Sequence, residues 1–168
     1  MYLNYMNMKN LILVRHGKSS WDYSVSDKDR PLKERGINDA LLVSEAFYKK
    51  KVDIDAVFSS PANRALHTCM IFLRQLKFPF SEFRVEKNLY DFSGDSDLEF
   101  IKSLDDNLST VMVFGHNHAF THLANSLGNS YIDNVPTSGL VHLQFDVTQW
   151  KSISKGTTIQ TIFPKDYR

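Results

Sequence analysis

Short apolar runs alternate with amphipathic stretches along this chain, and that alternation restricts its fold more than any other feature. Leu11 to Val14 is a continuous apolar run, as expected of a strand covered on both faces, and Ala56 to Phe58 and Thr110 to Phe114 read as two more. Between them, Ile37, Ala40, Leu41, Ser44, Phe47 and Tyr48 recur at the helical spacing of three and four. The same spacing links Ala62, Ala65, Leu66, Cys69, Phe72, Leu73 and Leu76, and more briefly Phe120, Leu123, Ala124 and Leu127. A weaker helix is predicted over Asp95 to Leu104. Toward the C-terminus the period changes: Val141, Leu143, Phe145 and Val147 alternate with His142, Gln144 and Asp146, a strand with one buried face, and Thr157 to Phe163 suggests another. With no helix between them, these two are expected to pair antiparallel at a sheet edge, leaving His142 on the polar face of an edge strand. The reading is an α/β fold in three α/β/α layers, mostly parallel, with an antiparallel edge strand.

No linker, repeat or low-complexity segment divides the 168 residues, so one domain is expected over 1–168. Met8 is a second candidate start, which makes residues 1–8 a loose tail. The formal net charge of +1 gives no general attraction to nucleic acid or to a membrane surface, and neither is expected as a partner. Any anion site must therefore be built from a few cations gathered locally. The first apolar run is too short for a signal-peptide core or a membrane span. Cys69, the one cysteine, can form no internal disulfide and falls on an apolar helix face as a buried small hydrophobe. These features predict a cytoplasmic protein.

Three strand ends carry the same kind of residue. The first predicted strand runs into Arg15-His16-Gly17, the second into Ser59-Ser60-Pro61 and a helix bearing Arg64, and the third into Gly115-His116-Asn117. In an open parallel sheet the carboxyl ends of strands share one crevice, where ligands bind. Two arginines and two histidines would meet there, an anion site with a candidate nucleophile. Ser60 and Pro61 suit the N-cap and first helical positions, which puts Arg64 one turn in, its side chain leaning back toward the crevice. Gly17 and Gly115 remove bulk beside the two histidines and allow backbone to approach a ligand.

On these residues the chain resembles the histidine phosphatase superfamily, the phosphoglycerate mutase-like fold. The carriers are Arg15-His16-Gly17, Ser60-Pro61-Ala62-Asn63-Arg64-Ala65 and Gly115-His116-Asn117. Arg15 to Asp22, followed by Asp29-Arg30-Pro31-Leu32 and Arg35-Gly36, looks like the short SixA-type phosphohistidine phosphatase branch, as do Leu89-Tyr90 and Pro136-Thr137-Ser138. Many members of that branch carry alanine where Gly17 stands, which reads as a neutral swap. The resemblance implies that His16, as neutral imidazole, attacks phosphorus and becomes a phosphohistidine. It implies that Arg15 and Arg64 hold the phosphoryl oxygens and that a protonated His116 adds a third donor, with no metal or other cofactor required. The implied substrate is a phosphorylated protein or a small phosphorylated molecule.

Larger relatives use a carboxylate to protonate an alkoxide leaving group. Here Asp91 is the nearest candidate acid, and no residue matches that acid clearly. An imidazole leaves far more readily than an alkoxide, so P–N cleavage suits the site better than P–O cleavage. Lys18 and Ser19 either touch phosphate or shape the loop, and Asn117 either faces the ligand or caps the following helix. Asp29 and Arg30 read as an ion-pair brace. His118 and His122 have the spacing of a helical metal pair but lack a third ligand, and His67 reads as a solvated helix position. Two alternatives stay open: a phosphatase for a small metabolite, with Asp91 as acid, and a non-catalytic phospho-ligand binding module.

Overall fold

The computed structural model describes residues 8–168, so the tail reading for residues 1–8 lies, but for Met8, outside the described residues. Among the described residues six strands and four α-helices follow one another as β1 (Lys9–Arg15), α1 (Glu34–Tyr48), β2 (Ala56–Ser59), α2 (Asn63–Leu76), β3 (Phe83–Val85), α3 (Asp95–Lys102), β4 (Thr110–Gly115), α4 (Ala119–Leu127), β5 (Leu140–Phe145) and β6 (Thr157–Ile162). The strands form one sheet in the order β3-β2-β4-β1-β5-β6. β3, β2, β4 and β1 are mutually parallel, whereas β5 runs antiparallel to both β1 and β6. This is the expected three-layer α/β fold.

The continuous apolar run of β1 is explained by its two buried faces. Leu11 and Leu13 join a core with Leu89, Ile101, Phe120, Leu123 and Trp150, under α3 and α4. Ile12 and Val14 join the opposite core with Val43, Phe47, Cys69 and Phe72, under α1 and α2. Cys69 is buried, and burial pushes its thiol well above its ordinary range. On α1 the periodic reading is corrected in detail: Val43 and Ala46 turn inward, while Leu41 and Tyr48 stay exposed. β3 has no counterpart in the sequence reading; it is a three-residue edge strand with mostly exposed side chains and carries no apolar run.

His142 needs the larger correction. β5 is an interior strand, because β6 covers its outer side, and His142 is buried. Its Nε2 lies 2.8 Å from Asn10 Oδ1, and Gln160 Nε2 lies 3.3 Å from its Nδ1. The ring therefore donates through Nε2 and accepts through Nδ1, tying β1, β5 and β6 together. Burial lowers its pKa to about 4, so it is neutral at neutral pH.

Asp97 is the opposite case. It is fully buried in the first turn of α3, and neither carboxyl oxygen has a protein partner. Burial, and then the Asp91 carboxylate, pushes its pKa up to about 8. The folded chain therefore holds a proton there that the unfolded chain releases near pH 4, and stability drains away as pH rises from about 4 to about 8. Asp97→Asn is expected to remove that slope, so thermal melts between pH 5 and 8 should show wild type losing ground steadily to the variant. Parallel melting curves would contradict the assignment.

Candidate active site

The parallel register brings three strand ends to one place. Arg15 stands opposite Gly115 across β1 and β4, and Ser59 stands opposite Phe114 across β2 and β4. The next residues are fixed by backbone bonds, from the His16 N–H to the Gly115 carbonyl (3.1 Å) and from the Ser60 N–H to the Phe114 carbonyl (3.0 Å). The rings of His16 and His116 then lie 5.2 Å apart between centroids. A fourth segment closes the site from β5: the Ser138 N–H donates to the carbonyls of both Arg15 and His16, with Ser138 in the left-handed region (φ 61°).

His16 is almost fully buried, and its Nδ1 lies 2.7 Å from the carbonyl of Gly17. A carbonyl can only accept, so Nδ1 carries the proton and Nε2 keeps the lone pair. Burial, with repulsion from His116, Arg64 and Arg15, lowers the pKa of His16 to about 3 against the opposing pull of that carbonyl. At neutral pH the ring is neutral, with its lone pair on Nε2.

His116 also has its pKa lowered to about 3, first by burial and then by Arg64. In the protein alone the ring is therefore neutral, burial and the two guanidiniums outweighing the pull of Asp27 and Asp91; the protonated form expected from the sequence is one with a phosphoryl group bound. Its Nε2 lies 2.7 Å from Ser60 Oγ, which also accepts the Ala62 N–H. With the Ser60 hydroxyl donating to Nε2, the ring proton sits on Nδ1, a buried donor with no protein partner. Ser60 is thus the partner of His116 and not the N-cap; α2 begins at Asn63, after Ala62.

Arg64 is only 3 % exposed and is held by one residue that the sequence reading overlooked. Its two terminal nitrogens donate to the Asp27 carbonyl (2.6 Å) and to Asp27 Oδ2 (2.9 Å). Arg30 donates to Asp27 Oδ1 (3.0 Å) and the Tyr90 hydroxyl to Oδ2 (2.5 Å). Burial pushes the Asp27 pKa up, but the bonds from Tyr90, Arg64 and Arg30 outweigh it and hold the carboxyl well below the usual carboxylate range. Asp29, by contrast, accepts from Ser26 Oγ, so the brace pairs Arg30 with Asp27. Arg15 donates through one terminal nitrogen to the Val135 carbonyl (2.9 Å), while its Nε is buried without a partner, as is Ser138 Oγ.

The remaining sequence candidates divide. Lys18 is exposed on the wall of the pocket. Ser19 also lines it, but its Oγ accepts from Arg30, a loop-shaping bond. Asn117 Oδ1 accepts from the backbone and hydroxyl of Thr121, and its amide donates to Asn134 and Val135, which is capping of α4. Asp91 accepts from the backbone N–H groups of Ser93, Gly94 and Asp97. Burial opposes these bonds, yet they lower its pKa and keep it ionised, the wrong state for a proton donor. His67, His118 and His122 are exposed, and among the described residues no three His, Cys, Asp or Glu side chains cluster to hold a metal.

The two glycines serve packing more than ligand approach. A Cβ on Gly115 would meet the Phe120 ring at 2.6 Å. A Cβ on Gly17 would meet the Gly36 carbonyl oxygen at 2.9 Å and Ser138 Oγ at 3.1 Å, so the alanine swap that read as neutral forces backbone to move here. The Gly17 N–H is meanwhile anchored on Thr68 Oγ1 (2.8 Å), which in turn donates to the Arg64 carbonyl. The result is a small cavity of about 310 Å³ at the strand ends, walled by Arg15, His16, Arg64, Asp27, Trp21 and Phe92.

A family model for the histidine phosphatase superfamily (branch 1) matches residues 11–96, just over half of the chain. The chain belongs to the histidine phosphatase superfamily. Members of that superfamily act on phosphoryl groups as phosphatases or mutases. An uncharacterized protein of Mycobacterium tuberculosis is 29% identical over 153 residues, covering 85% of this chain and 93% of its own length. A 2,3-bisphosphoglycerate-dependent phosphoglycerate mutase of Chlamydia abortus is 40% identical over 67 residues, but that match spans 38% of this chain and 29% of the mutase. The structure of the protein histidine phosphatase SixA complexed with tungstate shares the fold with a TM-score of 0.79 at 23% identity, over 95% of this chain and 99% of SixA. A phosphoglycerate mutase from Bacillus anthracis follows at 0.65 and 16% identity, over 94% and 95% of the two chains.

Within this histidine phosphatase site, Gly17→Ala is expected to lower stability by about 1–3 kcal/mol, the usual cost of overpacking a tight position. Equilibrium denaturant unfolding measures it. An unchanged midpoint would show that the first turn of α1 at Gly36 yields freely.

Proposed function

We propose that this chain is a protein phosphohistidine phosphatase that works through a phosphohistidine at His16. The observation that carries the reading is the state of that ring: buried and neutral, with Nδ1 donating to the Gly17 carbonyl and Nε2 free to attack. In the first step Nε2 attacks phosphorus, the bond to the leaving group breaks, and His16 becomes a phosphorylated imidazolium whose Nδ1–H stays on Gly17. Arg15 and Arg64 hold the phosphoryl oxygens, and the unpaired Nδ1–H of His116, the unpaired Nε–H of Arg15 and the Ser138 hydroxyl gain the partner they lack in the protein alone. The dianion also offsets the charge of the two guanidiniums. In the second step water attacks phosphorus, the P–N bond to His16 breaks, and phosphate departs as the ring returns to neutral.

This set needs neither metal nor another cofactor, because phosphoryl transfer asks mainly for positioning and charge stabilisation. Neither carboxyl group near the pocket is poised to protonate an alkoxide: Asp91 is committed to the start of α3 and Asp27 to two arginines and a tyrosine. That favours a P–N substrate over an alkyl phosphate monoester. The likeness in fold to SixA, a protein histidine phosphatase, supports the same reading, and among the described residues no helix is long and apolar enough to cross a membrane. A cytoplasmic location suits the reduced state of the single buried thiol.

With chelator present, the enzyme is expected to release phosphate from a phosphohistidine-bearing protein or from phosphoramidate at least tenfold faster than from an alkyl monoester, and His16→Ala to lose both. Comparable turnover of an alkyl monoester would move the protein to the small-metabolite phosphatases, and phosphate binding without any turnover would make it a binding module.

A further inference from the structure

The cavity is walled by four cationic side chains, Arg15, Lys18, Arg30 and Arg64, and by one carboxylate. Asp27 lines the same pocket as Arg15, His16 and Arg64, and its side chain keeps 41% of its exposure. A carboxylate offers about four acceptor positions. Here Oδ2 is filled by Arg64 and Tyr90, while Oδ1 takes only Arg30, so one position remains on Oδ1. Two aromatic rings share the pocket wall with it. Trp21 is 75% exposed and covers Arg30 on one face at 3.3 Å from its ring centre. Phe92 is 47% exposed and reaches from the rim to His116, with ring centroids 5.1 Å apart. A negative charge in a pocket with exposed aromatic rings is a poor neighbour for a departing alkoxide or phenolate. It is a good one for a flat cation.

We infer that Asp27, Trp21 and Phe92 form a leaving-group seat for a protonated imidazole ring, and that Asp27 determines selectivity for P–N over P–O substrates. The inference rests on the phosphohistidine reading above and names how that site recognises its substrate. A phosphohistidine ring enters with its distal nitrogen protonated, and that N–H donates to Asp27 Oδ1. When His16 Nε2 attacks phosphorus, the P–N bond of the substrate breaks and its electron pair returns to the ring nitrogen. The ring leaves as neutral imidazole, still carrying the distal proton, and no separate acid is required. Substrate ring and His16 are then matched: each phosphorylated imidazolium gives its remaining N–H to a fixed oxygen, Asp27 Oδ1 on one side and the Gly17 carbonyl on the other. An oxygen leaving group instead gathers negative charge against the Asp27 carboxylate.

The test compares free N-phosphohistidine with para-nitrophenyl phosphate in the full-length wild-type enzyme and in Asp27→Asn. The ratio of the two kcat/KM values is expected to fall about tenfold or more in the variant, the scale of one charge-assisted hydrogen bond. A role confined to bracing Arg64 and Arg30 would lower both values together and leave the ratio unchanged, which overturns the seat. The alkaline limb of kcat for N-phosphohistidine should also move to lower pH in Asp27→Asn, since the bound ring loses its anionic partner. Asp27→Glu, which keeps the charge, should recover part of the ratio. If Asp27→Asn does not fold, Phe92→Leu serves in its place: KM should rise for N-phosphohistidine more than for the aryl ester, and an equal rise overturns the proposal. Wild-type enzyme that turns over the aryl ester as well as the P–N substrate sinks the phosphohistidine reading itself. A selective wild type whose selectivity survives Asp27→Asn sinks only the seat.

Discussion

Three parallel strands end within a residue of one another, and the crevice exists because they do. β1, β4 and β2 are locked by backbone hydrogen bonds, so Arg15-His16, Gly115-His116 and Ser59-Ser60 leave the sheet side by side. A side-chain period of two leaves no tolerance here, since a slip by one residue would turn Arg15 into the place of His16. The two apolar cores fix that register, because Leu11 and Leu13 belong to one and Ile12 and Val14 to the other. Packing far from the chemistry thereby sets the distance between the two histidine rings.

Electrostatics then decides what those rings are. Two guanidiniums and two imidazoles share a small, largely buried volume, and burial keeps both rings neutral. One of the cations is already partly compensated: Asp27 takes both terminal nitrogens of Arg64, through its carbonyl and its carboxylate. Arg15 has no such partner, and its Nε is buried and unpaired, as are His116 Nδ1 and Ser138 Oγ. Cations and one carboxylate thus share the same small pocket.

Elements with strong apolar patterns were legible in the sequence, and so were the strand-end residues that follow them. Arg15, His16, Arg64 and His116 meet as the topology of parallel strands requires. What escaped notice had no pattern to carry it. Asp27 sits in an exposed polar loop and is brought to Arg64 only by tertiary structure. Ser60 offers the same hydroxyl to a helix start or to a histidine, and local spacing cannot choose between them. His142 alternates as if exposed, yet it is buried and bonded to Asn10 of β1 and Gln160 of β6, partners that strand alternation does not reveal. The clash at Gly17 comes from Gly36, nineteen residues away in the chain, a contact invisible to local reading.

The central claim is that His16 carries the phosphoryl group. The direct measurement is to mix the enzyme with a P–N phosphodonor, quench in alkali, where phosphohistidine survives, and locate the phosphoryl group by peptide mass spectrometry. A phosphorylated His16 that forms faster than steady-state turnover and vanishes in His16→Ala is the predicted result. Full turnover with no phosphoryl group on His16, or with the group on His116 instead, would contradict it.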